Sequence, residues 1–280
     1  MSHAPELEFA ARTDTGLVRS QNEDAIAISP SYGIAILADG MGGYNAGEVA
    51  SRIAVEITRQ VLEEGIDRLQ EQQATSGANW GAQLQQLLDE SIHRANAAVL
   101  EAAASKSEYN GMGTTIVAAV LHHSTITIAH VGDSRAYRLR QDALVQITRD
   151  HSLLQEQIDA GLISTEQARY APNSNLVTRA VGVAQEIEVE VHEHRMEPGD
   201  VYLLCSDGLS DMLQLEEIQD VLNGQPASLE EVCEAMVRRA NDNGGHDNIS
   251  VVLIKAGCSD VEAIVSEQGS LFRRILDWIS

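Results

Sequence analysis

The stretch TTIVAAVLHHSTITIAHVGDSRAYRL, residues 114–139, decides the fold. It holds two runs rich in β-branched residues, Thr115–Leu121 and Thr125–Val131, and a shorter third run, Ala136–Leu139, divided by His122-His123-Ser124 and Gly132-Asp133-Ser134. Runs of this length bounded by turn residues read as strands. The gaps are too short for helical crossovers, so the strands are expected to pair antiparallel.

Outward from this segment, Ala25–Ile28, Ile34–Ala38, Val201–Cys205 and Ile249–Lys255 read as further strands. Helical periodicity covers Ala46–Glu64, Trp80–Ala104, Ser152–Ala160, Leu215–Leu222 and Leu229–Ala240. Hairpin-linked strands with helix groups between them predict an α+β fold, sheets at the centre and helices covering them. No internal repeat or long linker divides the chain. Thr148 to Gly182 is polar, partly helical and turn-rich at Ala171-Pro172-Asn173-Ser174-Asn175, and reads as an inserted flap. Beyond Gly257, the residues Leu271, Phe272, Ile275, Leu276 and Ile279 share one helical face. That amphipathic tail helix either packs on its own domain or docks a partner.

The 280 residues are 44% hydrophobic, enough for a sizeable core. Forty-two acidic residues against 19 basic ones give a net charge of −23, which repels phosphate backbones and anionic headgroups. Nucleic-acid binding is therefore not expected. Cys205, Cys233 and Cys258 show no CxxC spacing and fit a reducing compartment. No signal peptide is expected from Met1 to Glu8, and no apolar run reaches the ~18 residues that cross a bilayer. The expectation is a cytoplasmic protein without membrane insertion.

Several predicted strands deliver an aspartate at or beside an end: Asp39 before Gly40, Asp133 after Gly132, Asp207 before Gly208, and Asp247 ahead of the last strand. Asp-Gly is also ordinary turn chemistry. If those strand ends lie at one edge of a sandwich, the carboxylates converge, and clustered carboxylates repel one another unless cations sit among them. An oxygen-only donor set suits Mg²⁺ or Mn²⁺ rather than zinc.

These residues also carry a resemblance. Gly16-Leu17-Val18-Arg19-Ser20-Gln21-Asn22-Glu23-Asp24, Ala38-Asp39-Gly40-Met41-Gly42-Gly43, Gly111-Met112-Gly113-Thr114-Thr115, Val131-Gly132-Asp133-Ser134-Arg135, Ser206-Asp207-Gly208-Leu209 and Asp247-Asn248 occur in the order seen in one family. From about Phe9 to Ile254 the chain resembles the bacterial branch of the metal-dependent PPM (type 2C) serine/threonine phosphatases. The resemblance implies a four-layer α-β-β-α sandwich of two mainly antiparallel sheets, with residues 1–256 as the phosphatase domain, a flap at about 148–182, and residues 257–280 as a tail. It implies two divalent cations per site, Mg²⁺ or Mn²⁺, bridged by Asp39 and completed by the Gly40 carbonyl, Asp207 and Asp247. Glu23 and Asp24 match an acidic pair acting through metal-bound water, and Asp133 matches the ligand of a third, weaker metal shared with Asp207. Arg19 matches the arginine that grips the substrate phosphate. Two metals lower the pKa of a bridging water, which makes hydroxide available for in-line attack on phosphorus. Phosphorylated proteins are the implied substrates and a cognate serine/threonine kinase the implied opponent. Met41 stands where some members have histidine and Tyr44 where many bacterial members do, so the leaving-group proton lacks an obvious donor; a metal-bound water is one candidate, and His151 reads either as another or as a surface histidine.

Other readings compete. Cys233 to Arg239 satisfies the Cys-x5-Arg spacing of thiol phosphatases, but the residues between are helix formers rather than a phosphate-cradling glycine loop. A catalytically inactive scaffold that binds phosphoproteins is the non-enzymatic alternative. His192 and His194 flank Glu193 on one side of an extended segment, either an exposed edge-strand pair or a zinc-binding geometry. Arg135 reads as a phosphate ligand or as the partner of a nearby carboxylate.

Overall fold

The computed structural model describes residues 7–43, 46–76, 80–168, 176–224 and 227–257. Tyr44, the turn at 171–175, Cys258 and the tail helix lie outside the described residues.

In chain order the first half comprises β1 (Leu7–Asp14), β2 (Asp24–Ser29), β3 (Ile34–Met41), α1 (Ala46–Ser76), α2 (Trp80–Ser105), β4 (Gly113–Thr114), β5 (Ile116–His122) and β6 (Thr125–Val131). The second comprises β7 (Arg135–Arg140), β8 (Ala143–Gln146), α3 (Leu153–Asp159), α4 (Thr165–Ala168), β9 (Glu190–Arg195), β10 (Val201–Cys205), α5 (Asp207–Ser210), α6 (Leu215–Asn223), α7 (Leu229–Asp242) and β11 (Ile249–Ala256). One sheet runs β2-β3-β5-β6-β9, with β4 paired to β3; the other runs β1-β11-β10-β7-β8. Every pairing between these strands is antiparallel.

Three apolar interfaces separate four layers. Along β5, Ile116, Ala118 and Val120 face the α1–α2 pair, while Val117, Ala119 and Leu121 face the other sheet. Both faces are therefore buried, which is why this strand reads as an unbroken apolar run rather than an alternating one. Leu203, Val251 and Leu253 of the other sheet pack on Val232, Met236 and Val237 of α7. Each such fully buried aliphatic side chain is worth roughly 1.5–3 kcal/mol of transfer free energy. The order is α-β-β-α, as the resemblance implies.

One expectation fails. β5 and β6 form the expected hairpin, but β6 and β7 do not pair: β7 lies in the other sheet, between β10 and β8. Gly132 makes this crossing possible. Its φ of +108° suits only glycine, and a Cβ there would lie 2.7 Å from the Thr115 side chain. The turn that resembles a hairpin loop is thus the rung between sheets, and it sets Asp133 at the sandwich's end.

Helix α1 also overruns its expected end at Glu64. Gly65, ordinarily a stop signal, stays helical because its bare backbone admits Leu87 of α2, whose side chain would come within 2.4 Å of a Cβ. Strands β1, β4, β8 and β9 lie outside the expected strands, apart from the edge reading of His192 and His194.

Candidate metal centre

The strand ends that carry the singled-out residues meet at one end of the sandwich. Asp39, near the end of β3, is the register partner of Asp24 at the start of β2. Asp133 follows β6, Asp207 follows β10 and Asp247 precedes β11, while Arg19 and Glu23 lie on the segment joining β1 to β2. A cavity of about 260 Å³ is lined by Arg19, Glu23, Asp39, Gly40, Asp133, Asp207 and Asp247. Met41, Gly42, Thr115 and Val177 complete its wall. Asp24 is buried behind it.

Neighbouring side chains fix this arrangement. Asn248 accepts from the Glu23 N–H at 2.8 Å and donates to the carbonyls of Thr15 and Gln21 at 2.9 and 2.8 Å. It thereby ties the loop bearing Arg19 and Glu23 to the turn bearing Asp247. The Ser206 hydroxyl donates to Asp24 Oδ2 at 2.9 Å and accepts from the Ser250 N–H at 3.0 Å, joining the two sheets. Thr115 Oγ1 accepts from the Asp39 N–H at 3.0 Å. Arg19 Nη2 donates to Asp247 Oδ2 at 2.6 Å, its one hydrogen bond among the described residues.

The electrostatics are those of crowded anions. Burial, reinforced by Asp24, Asp207, Asp133 and Asp247, holds the Asp39 carboxyl well above its ordinary range. Burial and the charges of Asp133, Asp211 and Asp247 do the same to Asp207. Asp24 is pushed up by burial to about 7 despite the hydrogen bond from Ser206, and Asp133 to about 6 by burial and Asp150. Such a cluster must take up protons or cations. Asp207 Oδ1 and Asp24 Oδ1 are buried and have no hydrogen-bond partner among the described residues. Orphaned carboxylate oxygens in an all-oxygen site fit hard divalent cations.

A smaller cavity beside the first is lined by Asp133 and Asp207 together with Arg135, Asp150 and Asp211. Asp211 is the acidic residue that sequence reading missed. It sits one helical turn after Asp207, at i+4, and that spacing was the available signal. Thr115, Ser206 and Asn248 were likewise not singled out for what they hold.

The remaining candidates part company with the site. Arg135 binds both oxygens of Asp150 through Nε and Nη2, at 2.6–3.0 Å, as a structural ion pair. His151 is not a surface histidine: it is buried, its Nδ1 accepts from the Gly132 N–H at 3.1 Å, and its Nε2 lies 3.2 Å from Glu190 Oε1. With both ring nitrogens engaged and no place on the cavity wall, it offers no proton there. Cys233 is buried inside α7, and burial pushes its thiol up to about 12, so the Cys-x5-Arg spacing is coincidental.

Carboxylates and one guanidinium around a single cavity are donors of the kind that suit hard cations and an anionic ligand. The family model described as Protein phosphatase 2C matches residues 18–253. A serine/threonine phosphatase stp of Listeria innocua is 37% identical over 87% of this chain and 94% of its own. The serine/threonine protein phosphatase PstP of Mycobacterium tuberculosis is 35% identical over 88% of this chain and 44% of its own. A crystal structure of the PstP catalytic domain in complex with two manganese ions superposes with a TM-score of 0.77 at 33% identity, covering 90% of this chain and 99% of that one. Stp1 from Staphylococcus aureus superposes at 0.80 and 32%, covering 91% and 97%. This chain belongs to the protein phosphatase 2C family, in its bacterial branch.

Proposed function

We propose that the protein hydrolyses phosphoserine and phosphothreonine esters of other proteins, using Mg²⁺ or Mn²⁺ held by the carboxylates of this cavity. The observation that carries the reading is the convergence of Asp39, Asp207 and Asp247 with Arg19 on one cavity, Asp207 keeping an unpartnered buried oxygen. In this reading Asp39, the Gly40 carbonyl, Asp207 and Asp247 hold two cations. Glu23 and Asp24 act from the outer shell, and Asp133 with Asp207 holds a third, weaker ion. When bound, the cations supply a water acidic enough to attack as hydroxide near neutral pH and screen the charge of the phosphoryl group.

The chain's own groups do the rest. Thr115 and Asn248 keep Asp39 and the Glu23 loop in register. Arg19 presents a permanently charged planar donor set at the cavity's rim, suited to two phosphate oxygens. Val177, from residues 148–182, reaches the cavity wall, which supports reading that segment as a flap that meets the substrate. The net charge of −23 favours phosphosites flanked by basic residues. The buried free thiols Cys205 and Cys233 accord with a cytoplasmic location, where the reading sets the enzyme against a serine/threonine kinase. Among the described residues no helix is long and apolar enough to cross a membrane.

The test is phosphate release from a phosphothreonine peptide with Mn²⁺ and again with excess EDTA. Release that the chelator abolishes is expected. Peptide binding without release would make the protein a scaffold, and release that survives EDTA but not alkylation would return the chemistry to a thiol.

A further inference from the structure

At the open edge of the β2-β3-β5-β6-β9 sheet, a second group of ligand-type side chains lies outside the cavity. His130 of β6 and Glu190 and His192 of β9 bring one donor atom each within 4.8 Å of one another. The register pairs His130 with Glu190 and Ile128 with His192, so all three project from one sheet face. His130 is fully buried. Its Nε2 donates to the Arg149 carbonyl at 2.8 Å, which fixes the proton there and leaves the Nδ1 lone pair without a partner. His192 Nε2 is likewise buried, its nearest polar neighbour being Glu190 Oε2 at 3.4 Å.

Neighbouring side chains hold these donors in place. His151, whose Nδ1 accepts from Gly132, turns its Nε2 to Glu190 Oε1 at 3.2 Å and stacks on the His130 ring at 4.6 Å. Arg179 lies 3.8 Å from Glu190 Oε1 and closer to Glu188 Oε2, at 3.1 Å. Burial drops the His130 pKa to about 4, so the ring is neutral and free to donate its lone pair at neutral pH. Leaving the buried His130 Nδ1 unpaired is costly, and a coordinated cation removes that cost.

We propose that His130 Nδ1, His192 Nε2 and the Glu190 carboxylate form a binding site for one Zn²⁺, with a fourth position left to water. Two imidazoles and a carboxylate are a zinc donor set, whereas Mg²⁺ prefers oxygen alone. The two sites therefore sort metals by donor type. Two polar contacts, Glu190 to His151 and His151 to the Gly132 N–H, link the zinc site to the turn that carries Asp133. The sequence pair His192 and His194 is thus divided: His192 joins the site and His194 does not, their ring centroids lying 6.3 Å apart.

The experiment is Zn²⁺ titration of the full chain in saturating Mg²⁺ against a chromophoric chelator, for wild type, Glu190→Gln, His192→Ala and Asp39→Asn. One Zn²⁺ per chain is expected in wild type and in Asp39→Asn. Affinity should fall more than about tenfold in both Glu190→Gln and His192→Ala. Those two half-exposed positions should keep Mg²⁺-dependent phosphatase turnover, which reports that the fold is intact. No zinc in wild type, unchanged affinity in either Glu190→Gln or His192→Ala, or loss of zinc in Asp39→Asn would overturn the proposal.

Discussion

Asp207 shows how much one residue's surroundings add to its identity. The sequence marks it as an aspartate after a strand; the structure gives it a buried oxygen with no partner and four neighbouring carboxylates that push its pKa up. Arg19 was legible from its motif, but its 2.6 Å contact with Asp247 was not, because 228 residues separate the two. A guanidinium that grips phosphate rather than building the centre should matter for substrate alone. Arg19→Ala should raise KM for a phosphopeptide roughly ten- to a hundredfold, the worth of a charge-assisted hydrogen bond, with Mn²⁺ affinity by calorimetry little changed. His151 was misread because exposure follows from tertiary contacts, and the partners that bury it, Gly132, His130 and Glu190, are 19 to 39 positions distant.

Among elements, the long apolar strands and both long helices were legible because burial on both faces, or on one helical stripe, writes itself into composition. Strand β9, Glu-Val-His-Glu-His-Arg, is an edge strand with no apolar alternation, and β8 has four residues; neither carries a strong pattern. The β6–β7 crossing was missed because Gly-Asp-Ser serves equally well as a hairpin or as a rung between sheets, and only the packing against Thr115 decides. Exchanging residues 148–182 with those of a related phosphatase should change peptide preference in a phosphopeptide panel; an unaltered profile would remove the flap's role. At the opposite end of β7, Arg140 donates to both oxygens of Asp200 at 2.7–2.8 Å. Burial alone would raise the Asp200 carboxyl, but these bonds and those from the Glu197 N–H and the Tyr202 hydroxyl hold it below its usual range. A folded pKa below the unfolded value of ~3.9 means the stabilisation is present above that pH and is lost as pH falls through the folded value. Arg140→Ala should therefore cost about 3 kcal/mol at pH 7 in urea unfolding, with the gap to wild type closing below about pH 4.

For the whole molecule, the four layers give rigid walls to a site that is itself destabilising, since unneutralised carboxylates at one end repel in the folded state and disperse in the unfolded one. Cations that bind only the folded chain should reverse this. At a hundred times its dissociation constant, Mn²⁺ should stabilise by about 2.7 kcal/mol, seen as a higher Tm in calorimetry than in EDTA. An equal Tm in both would mean that the cavity holds no ion. Whether Asp39 and its neighbours make a metal-dependent hydrolase is tested by turnover of a phosphothreonine peptide by Asp39→Asn in saturating Mn²⁺. Turnover should fall at least about a hundredfold, the kinetic worth of several kcal/mol of metal-borne charge stabilisation. Near-wild-type turnover in that variant would contradict it.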